Sequence, residues 1–206
     1  LFRIQTFSAS VVGGGFMRLA MGATPFMLAL LLQIGFGMSP FQAGMLTFIS
    51  AAGALVMKTA APPILRRFGF RTVLIVNAVI TGVLFLAYGL FKPETPHWVI
   101  MVVLLIGGFF RSLQFTSLNG LAYADIDQHQ MSRASTLSAM AQQLVQSLGI
   151  GLAAMLLHLF MTMQGRSVLS TESISPAFLV VGGLTFFSLV FFIALPRTAG
   201  DDMHQR

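Results

Sequence analysis

The sequence predicts an all-α membrane protein whose six transmembrane helices form one bundle with an inverted three-plus-three repeat. Three observations carry that expectation. Hydrophobic residues make up 56% of the 206-residue chain and charged residues only 9%, with a mean hydropathy of +0.84, whereas soluble domains carry about 25% charge. Breakers and charges divide the chain into six apolar segments, each close to the roughly 20 residues that a bilayer core demands. Finally, Gly14-Gly15-Phe16-Met17-Arg18 recurs as Gly107-Gly108-Phe109-Phe110-Arg111, each time well inside a long apolar stretch.

The first span is expected over 7–32, with Arg18 near its middle and Thr24-Pro25 two turns later, where the proline frees a carbonyl and bends the helix. The second, 41–61, is expected to stop at Pro62-Pro63, and the third, 72–91, is followed by a turn held by Pro93 and Pro96. The fourth, 98–124, carries Arg111 near its centre and Gln114 on the same face, with Ser112, Thr116 and Asn119 as a second stripe at helical spacing. The fifth, 134–163, bears Ser135, Ser138, Gln142 and Gln146 on one stripe, with Gln143 and Ser147 alongside and Gly149 and Gly151 beyond. That face suits helix-to-helix hydrogen bonding or a wetted wall. Pro176 fits the first turn of the sixth span, 176–195. Spans three and six are apolar apart from Asn77, Thr81, Thr185 and Ser188, and are expected at the periphery against lipid. The bundle is thus expected over 1–196, with a cytoplasmic tail at 197–206.

An even number of crossings puts both ends on one side. Arg3, Lys58, Arg66, Arg67, Arg71, Arg133, Arg197 and Arg206 fall on that side, against Lys92 and Arg166 on the other, so the positive-inside rule makes it cytoplasmic. The net charge of +6 is therefore read as topology; nucleic-acid binders gather their basic residues on one exposed face, and these punctuate apolar runs. With no cysteine, disulfides and zinc-thiolate sites are excluded. No His-Glu-x-x-His, Gly-x-Ser-x-Gly or paired intramembrane aspartate is present, so neither an enzyme nor a resident metal or cofactor is expected. Leu1 is no initiator, and the chain reads as a piece of something larger.

An arginine keeps its proton under protein conditions, so Arg18 and Arg111 each place a permanent charge at mid-bilayer, at a cost of roughly 3 kcal/mol or more. Each should face a watery cavity or a buried polar partner. The neighbouring glycines would let another helix approach closely. If spans one and four are repeat equivalents, the arginines reach one depth from opposite faces, the place where inverted-repeat transporters bind. The substrate-pathway candidates are accordingly Arg18, Arg111, Gln114, Gln142 and Gln146; a buried salt bridge without substrate contact is the competing assignment for the arginines. All six carboxylates fall in loops or the tail, so a coupled proton would need a carboxylate from outside these residues. His158 lies inside a span but near its end, and is read as a structural residue.

Leu30 to Pro40 with Ala43-Gly44, the loop Leu65-Arg66-Arg67-Phe68-Gly69-Phe70-Arg71, and Leu121-Ala122-Tyr123-Ala124-Asp125 leading to Met131-Ser132-Arg133-Ala134 resemble the major facilitator superfamily. More narrowly, they are similar to the carboxyl-terminal half of the fourteen-span drug:proton antiporters. The resemblance implies one bundle of a two-bundle transporter in a bacterial inner membrane, lacking its amino-terminal half here, and working by alternating access. It also implies efflux of small amphipathic or cationic molecules in exchange for protons, although a permanent positive charge in the cavity fits cations poorly and leaves anionic or zwitterionic compounds open. Arg67, Gly69 and Arg71 match the family's loop between second and third helices, while Arg66 stands where an aspartate is usual. With Asp125 they form the expected cytoplasmic gate. A non-transporting six-span assembly unit is the alternative.

Overall fold

The computed structural model describes residue 1 and residues 3–196; the tail expected at 197–206, with Arg197, Asp201, Asp202 and Arg206, lies outside the described residues. Among the described residues helix is the sole regular structure. Five helices are long and apolar enough to cross a membrane: α1 Gln5–Gly35, α2 Pro40–Gly89, α3 His97–Tyr123, α4 Gln128–Met163 and α5 Thr171–Ile193. α1 widens to π-helical turns at Ala9–Gly13 and Leu31–Gly35.

The largest departure from the sequence expectation is α2. Its start is specified locally: Ser39 Oγ accepts from the Gln42 amide at 3.3 Å, Gln42 Oε1 accepts from the Ser39 amide at 3.1 Å, and Pro40 occupies the first turn. The helix does not end at Pro62-Pro63. It runs on through them, because the carbonyls they free belong to Lys58 and Thr59, which are exposed and can bond outside the bundle. The break comes instead at Gly69, whose φ of 75° and ψ of 156° lie in a region that side chains disfavour. What the sequence presents as a basic loop is therefore a sharp elbow. Gly69→Ala should destabilise the protein by about 1–3 kcal/mol, read as a lower unfolding temperature in detergent; an unchanged midpoint would show that the elbow tolerates another geometry.

Pro176 departs in the same way. α5 begins at Thr171, five residues earlier, because the Glu172 carbonyl that Pro176 leaves without its helical partner accepts from Gln164 Nε2 at 2.9 Å.

Contacts between distant segments sort the helix ends into two groups. Thr6 Oγ1 donates to Asp125 at 2.9 Å, Gln5 Nε2 to the Ala194 carbonyl at 3.1 Å, and Arg71 Nη2 to the Ile193 carbonyl at 2.8 Å. These gather the start of α1, the Gly69 elbow, the end of α3 and the end of α5 at one end, which is rich in basic residues. At the opposite end Thr171 Oγ1 donates to the Gly35 carbonyl at 3.1 Å, and Arg166 pairs with Glu172.

Among the described residues three apolar clusters fill the interior, the smallest made by Phe7, Ala122, Ile126 and Ala134; the other two are larger. One, near the opposite end, includes Met27, Leu31, Phe85, Tyr88, Ile100 and Phe178; the other, near the basic end, includes Met57, Leu65, Leu74, Leu121 and Phe192. Between them runs a belt of buried polar side chains: Arg18, Ser50, Asn77, Thr81, Gln114, Thr185 and Ser188. Helices cross most closely at glycines in this belt. A Cβ on Gly53 would strike the Leu105 carbonyl and one on Gly108 the Ser50 carbonyl, which locks α2 to α3. A Cβ on Gly22 would strike the Gln146 carbonyl and one on Gly149 the Leu19 carbonyl, which locks α1 to α4.

Candidate functional site

A cleft of about 310 Å3 opens at the level of the polar belt where four helices converge. α1 contributes Met21 and Pro25, α2 contributes Ala54, α3 contributes Arg111, Ser112 and Phe115, and α4 contributes Gln146. The glycine crossings set its walls. Gly22 admits the backbone of α4 at Gln146, and Gly108 admits that of α2 at Ser50, so groups from separate helices meet across a narrow gap. Ser112 Oγ donates to the Ala54 carbonyl at 3.0 Å and pins α3 to α2 beside the cleft.

Arg111 is half-buried, and its hydrogen bond among the described residues is a long one, 3.4 Å from Nη2 to Ser50 Oγ. Most of its five donors are therefore free for water or a ligand. The cleft thus combines a fixed cation and an amide with the apolar flanks of Met21 and Phe115. That chemistry suits a small amphipathic molecule carrying an acidic or hydrogen-bond-accepting group.

Arg18 is placed quite differently. It is 2% exposed and does not line the cleft. Its side chain lies back along α1, where Nη1 donates to the Ser10 carbonyl at 2.7 Å and Nη2 to Asn119 Oδ1 at 3.1 Å, while Nε is buried without a partner. Ser10 Oγ in turn donates to the Leu118 carbonyl at 2.6 Å. The guanidinium therefore ties α1 to α3 through neutral oxygens rather than through a carboxylate. The two arginines close similar pentapeptides but differ in surrounding: one is sealed, the other opens on the cleft.

The remaining pathway candidates divide too. Gln146 lines the cleft. Gln142 is half-buried one turn before it on α4. Gln114 is fully buried, with Oε1 accepting from Asn77 Nδ2 at 2.7 Å, and it joins α3 to α2 instead of facing the cleft. His158 is exposed on the surface of α4. At the basic end, Arg67 lies over the Phe68 ring at 5.6 Å, Arg71 holds the Ile193 carbonyl, Gly69 forms the elbow, and Asp125 accepts from Thr6. Arg67 and Asp125 are not paired in this structure; among the described residues the ion pair joins Arg166 to Glu172.

Sequence reasoning missed Ser50, Ser10 and Asn77 as partners. Ser50 and Asn77 are ordinary small polar residues whose partners, Arg111 and Gln114, lie far along the chain, and Ser10 serves Arg18 through its backbone carbonyl, so no side-chain pattern announces any of them. Among the described residues no cluster of His, Cys, Asp or Glu could hold a metal ion.

Comparison with known proteins agrees with this architecture. The chain is 33% identical to a "Putative multidrug resistance protein MdtD" of Pectobacterium atrosepticum over 196 residues, which is 95% of this chain and 41% of the relative. It is also 33% identical to proteins of that name from Escherichia coli O157:H7 and Shigella flexneri, over the whole of this chain and 43% of each relative. The chain thus spans about two fifths of the length of the curated relatives it matches. Residues 11–205 match the Major Facilitator Superfamily, and with the helical bundle and its polar belt already in view, this chain belongs to that superfamily.

Proposed function

We propose that the chain is one half of a secondary transporter that exports small amphipathic or drug-like molecules from a bacterium across its inner membrane. The observation that carries this reading is the cleft at Arg111, built by four helices at mid-depth and holding a cation with unused donors. The name borne by the relatives, multidrug resistance protein, agrees with it. We further propose six crossings. α2 is 50 residues long and would extend about 75 Å if straight, more than twice the hydrocarbon thickness, and it turns at Gly69. Both termini are then cytoplasmic on the basic side.

The inverted repeat belongs to the same proposal. Its support is that the tight glycine crossing of span one with span five has a counterpart in that of span four with span two, as exchange of the two halves requires. Transport runs by alternating access and proton antiport, with the proton carried outside these residues: Glu94, Asp125, Asp127 and Glu172 all lie at helix ends or in turns. A fixed cation in the cleft favours substrates with an anionic or zwitterionic portion.

The test is Arg111→Ala and Arg111→Lys in the full-length protein, assayed by dye efflux with and without a proton gradient. A charge-assisted hydrogen bond contributes about 1.5–3 kcal/mol, so Arg111→Ala should lower gradient-driven efflux roughly tenfold or more at unchanged protein level. Arg111→Lys should fall between the two, since it keeps the charge but not the fork. Wild-type efflux from both variants would remove the cleft from the pathway.

A further inference from the structure

The Gly69 elbow adjoins two hollows with common walls. One of about 360 Å3 is lined by Gly69 and Arg71, and a second, a slot of about 420 Å3, reaches Met57, Phe109 and Leu113; Phe68, Thr72 and Val76 border both. They form one groove with a basic mouth and an apolar floor. Arg71 is anchored at the mouth by its 2.8 Å bond to the Ile193 carbonyl, which leaves its Nε buried and unpartnered. Arg67 stands over Phe68, a wall of the groove, and Arg66 is exposed beside it. No carboxylate occurs in the sequence from Ala61 to Pro93, and none is paired with these guanidiniums among the described residues. The mouth therefore concentrates positive charge at a helix end, and the floor leads along the apolar outer face of α2 and α3. Phe68 and Val76 are more than half exposed there, on a chain that crosses a membrane.

We propose that this groove is a binding site for an anionic phospholipid of the surrounding bilayer, with its phosphate at Arg71 and Arg67 and one acyl chain lying in the slot. A neutral lipid would leave the arginines without a counter-ion, and a free phosphate would leave the slot unfilled. Depth agrees with this occupant: the arginines sit at a helix turn, where headgroups lie, and the slot descends from them into the apolar span. The site is separate from the Arg111 cleft and does not depend on the transport reading.

The experiment uses the purified full-length protein, delipidated in detergent and examined by native mass spectrometry with phosphatidylglycerol, with phosphatidylcholine of the same acyl chains, and with inorganic phosphate. Phosphatidylglycerol should be retained as one saturable adduct, in roughly tenfold or greater preference over phosphatidylcholine, and inorganic phosphate should not displace it. Val76→Trp fills the slot while leaving every hydrogen bond of Arg71 in place, and should lower retention about tenfold; the pair Arg67→Gln and Arg71→Gln should abolish the preference for the anionic headgroup. Equal retention of the two lipids would overturn the proposal. Displacement by phosphate, or wild-type retention in both the slot-filled and the charge-removed protein, would overturn it as well.

Discussion

Arg18→Ala in the full-length protein is expected to destabilise it by roughly 3 kcal/mol or more. The change removes two charge-assisted hydrogen bonds, strands the Ser10 carbonyl in the interior, takes the donor from half-buried Asn119 Oδ1, and leaves a void where one of the largest fully buried side chains had been. Removing the buried charge offsets part of that loss, and for this reason Arg18→Met, which fills most of the space, should be milder than alanine. Arg18→Lys keeps the charge but has no fork with which to reach both oxygens, so it should lie between. Thermal unfolding of the detergent-purified variants reads this order, and efflux should fall in step with it. A protein of unchanged stability whose efflux is nevertheless abolished would mean that Arg18 acts on the substrate rather than as a tie between α1 and α3.

Gly108→Ala should also be costly, despite adding a single methyl group. Its Cβ would fall within contact distance of the Ser50 carbonyl and its Oγ, and backbone on both sides cannot yield unless α2 and α3 separate. The expected loss is about 1–3 kcal/mol from overpacking. Because Arg111 and Ser112 lie immediately beyond on α3, the cleft should widen as well, and efflux should drop more than stability alone would require. Gly151→Ala provides the contrast. No atom beyond its own helix turn lies within 4 Å of where its Cβ would be, and alanine is favoured over glycine in a helix by about 1 kcal/mol, so that variant should be neutral or more stable. If the two substitutions behave alike in unfolding and in efflux, close helix approach at Gly108 is not what shapes the cleft.

These outcomes bear on how much of the site could be read in advance. The repeated pentapeptide drew attention to both arginines and to the glycines beside them, and the glycines do mark close approaches: Gly108 against Ser50, Gly107 against the Tyr88 hydroxyl, Gly14 against Leu118. Gln146 was reached through a polar stripe, and it lines the cleft. Gln114 shares the face of Arg111, yet it bonds Asn77 inside the bundle. Spacing along one helix says which residues share a face; it does not say whether that face meets a cavity or another helix. The prolines misled for a related reason. A proline removes one donor and frees one carbonyl, and whether the helix stops depends on who accepts or serves those groups, as Gln164 does for the Glu172 carbonyl ahead of Pro176.

Class, membrane residence and the asymmetry of basic charge were legible from the amino acids alone, because hydropathy is summed over whole segments and survives errors of a few residues at any boundary. The fates of Arg18 and Arg111 were not. Two arginines that close similar pentapeptides part company according to the rotation of each helix about its axis and the neighbour it meets. That rotation is fixed by glycine contacts between segments many residues apart: Gly53 and Gly108 for α2 and α3, Gly22 and Gly149 for α1 and α4. Burial of a charge is a property of one segment, but the group that answers it belongs to another, and folding alone brings the two together.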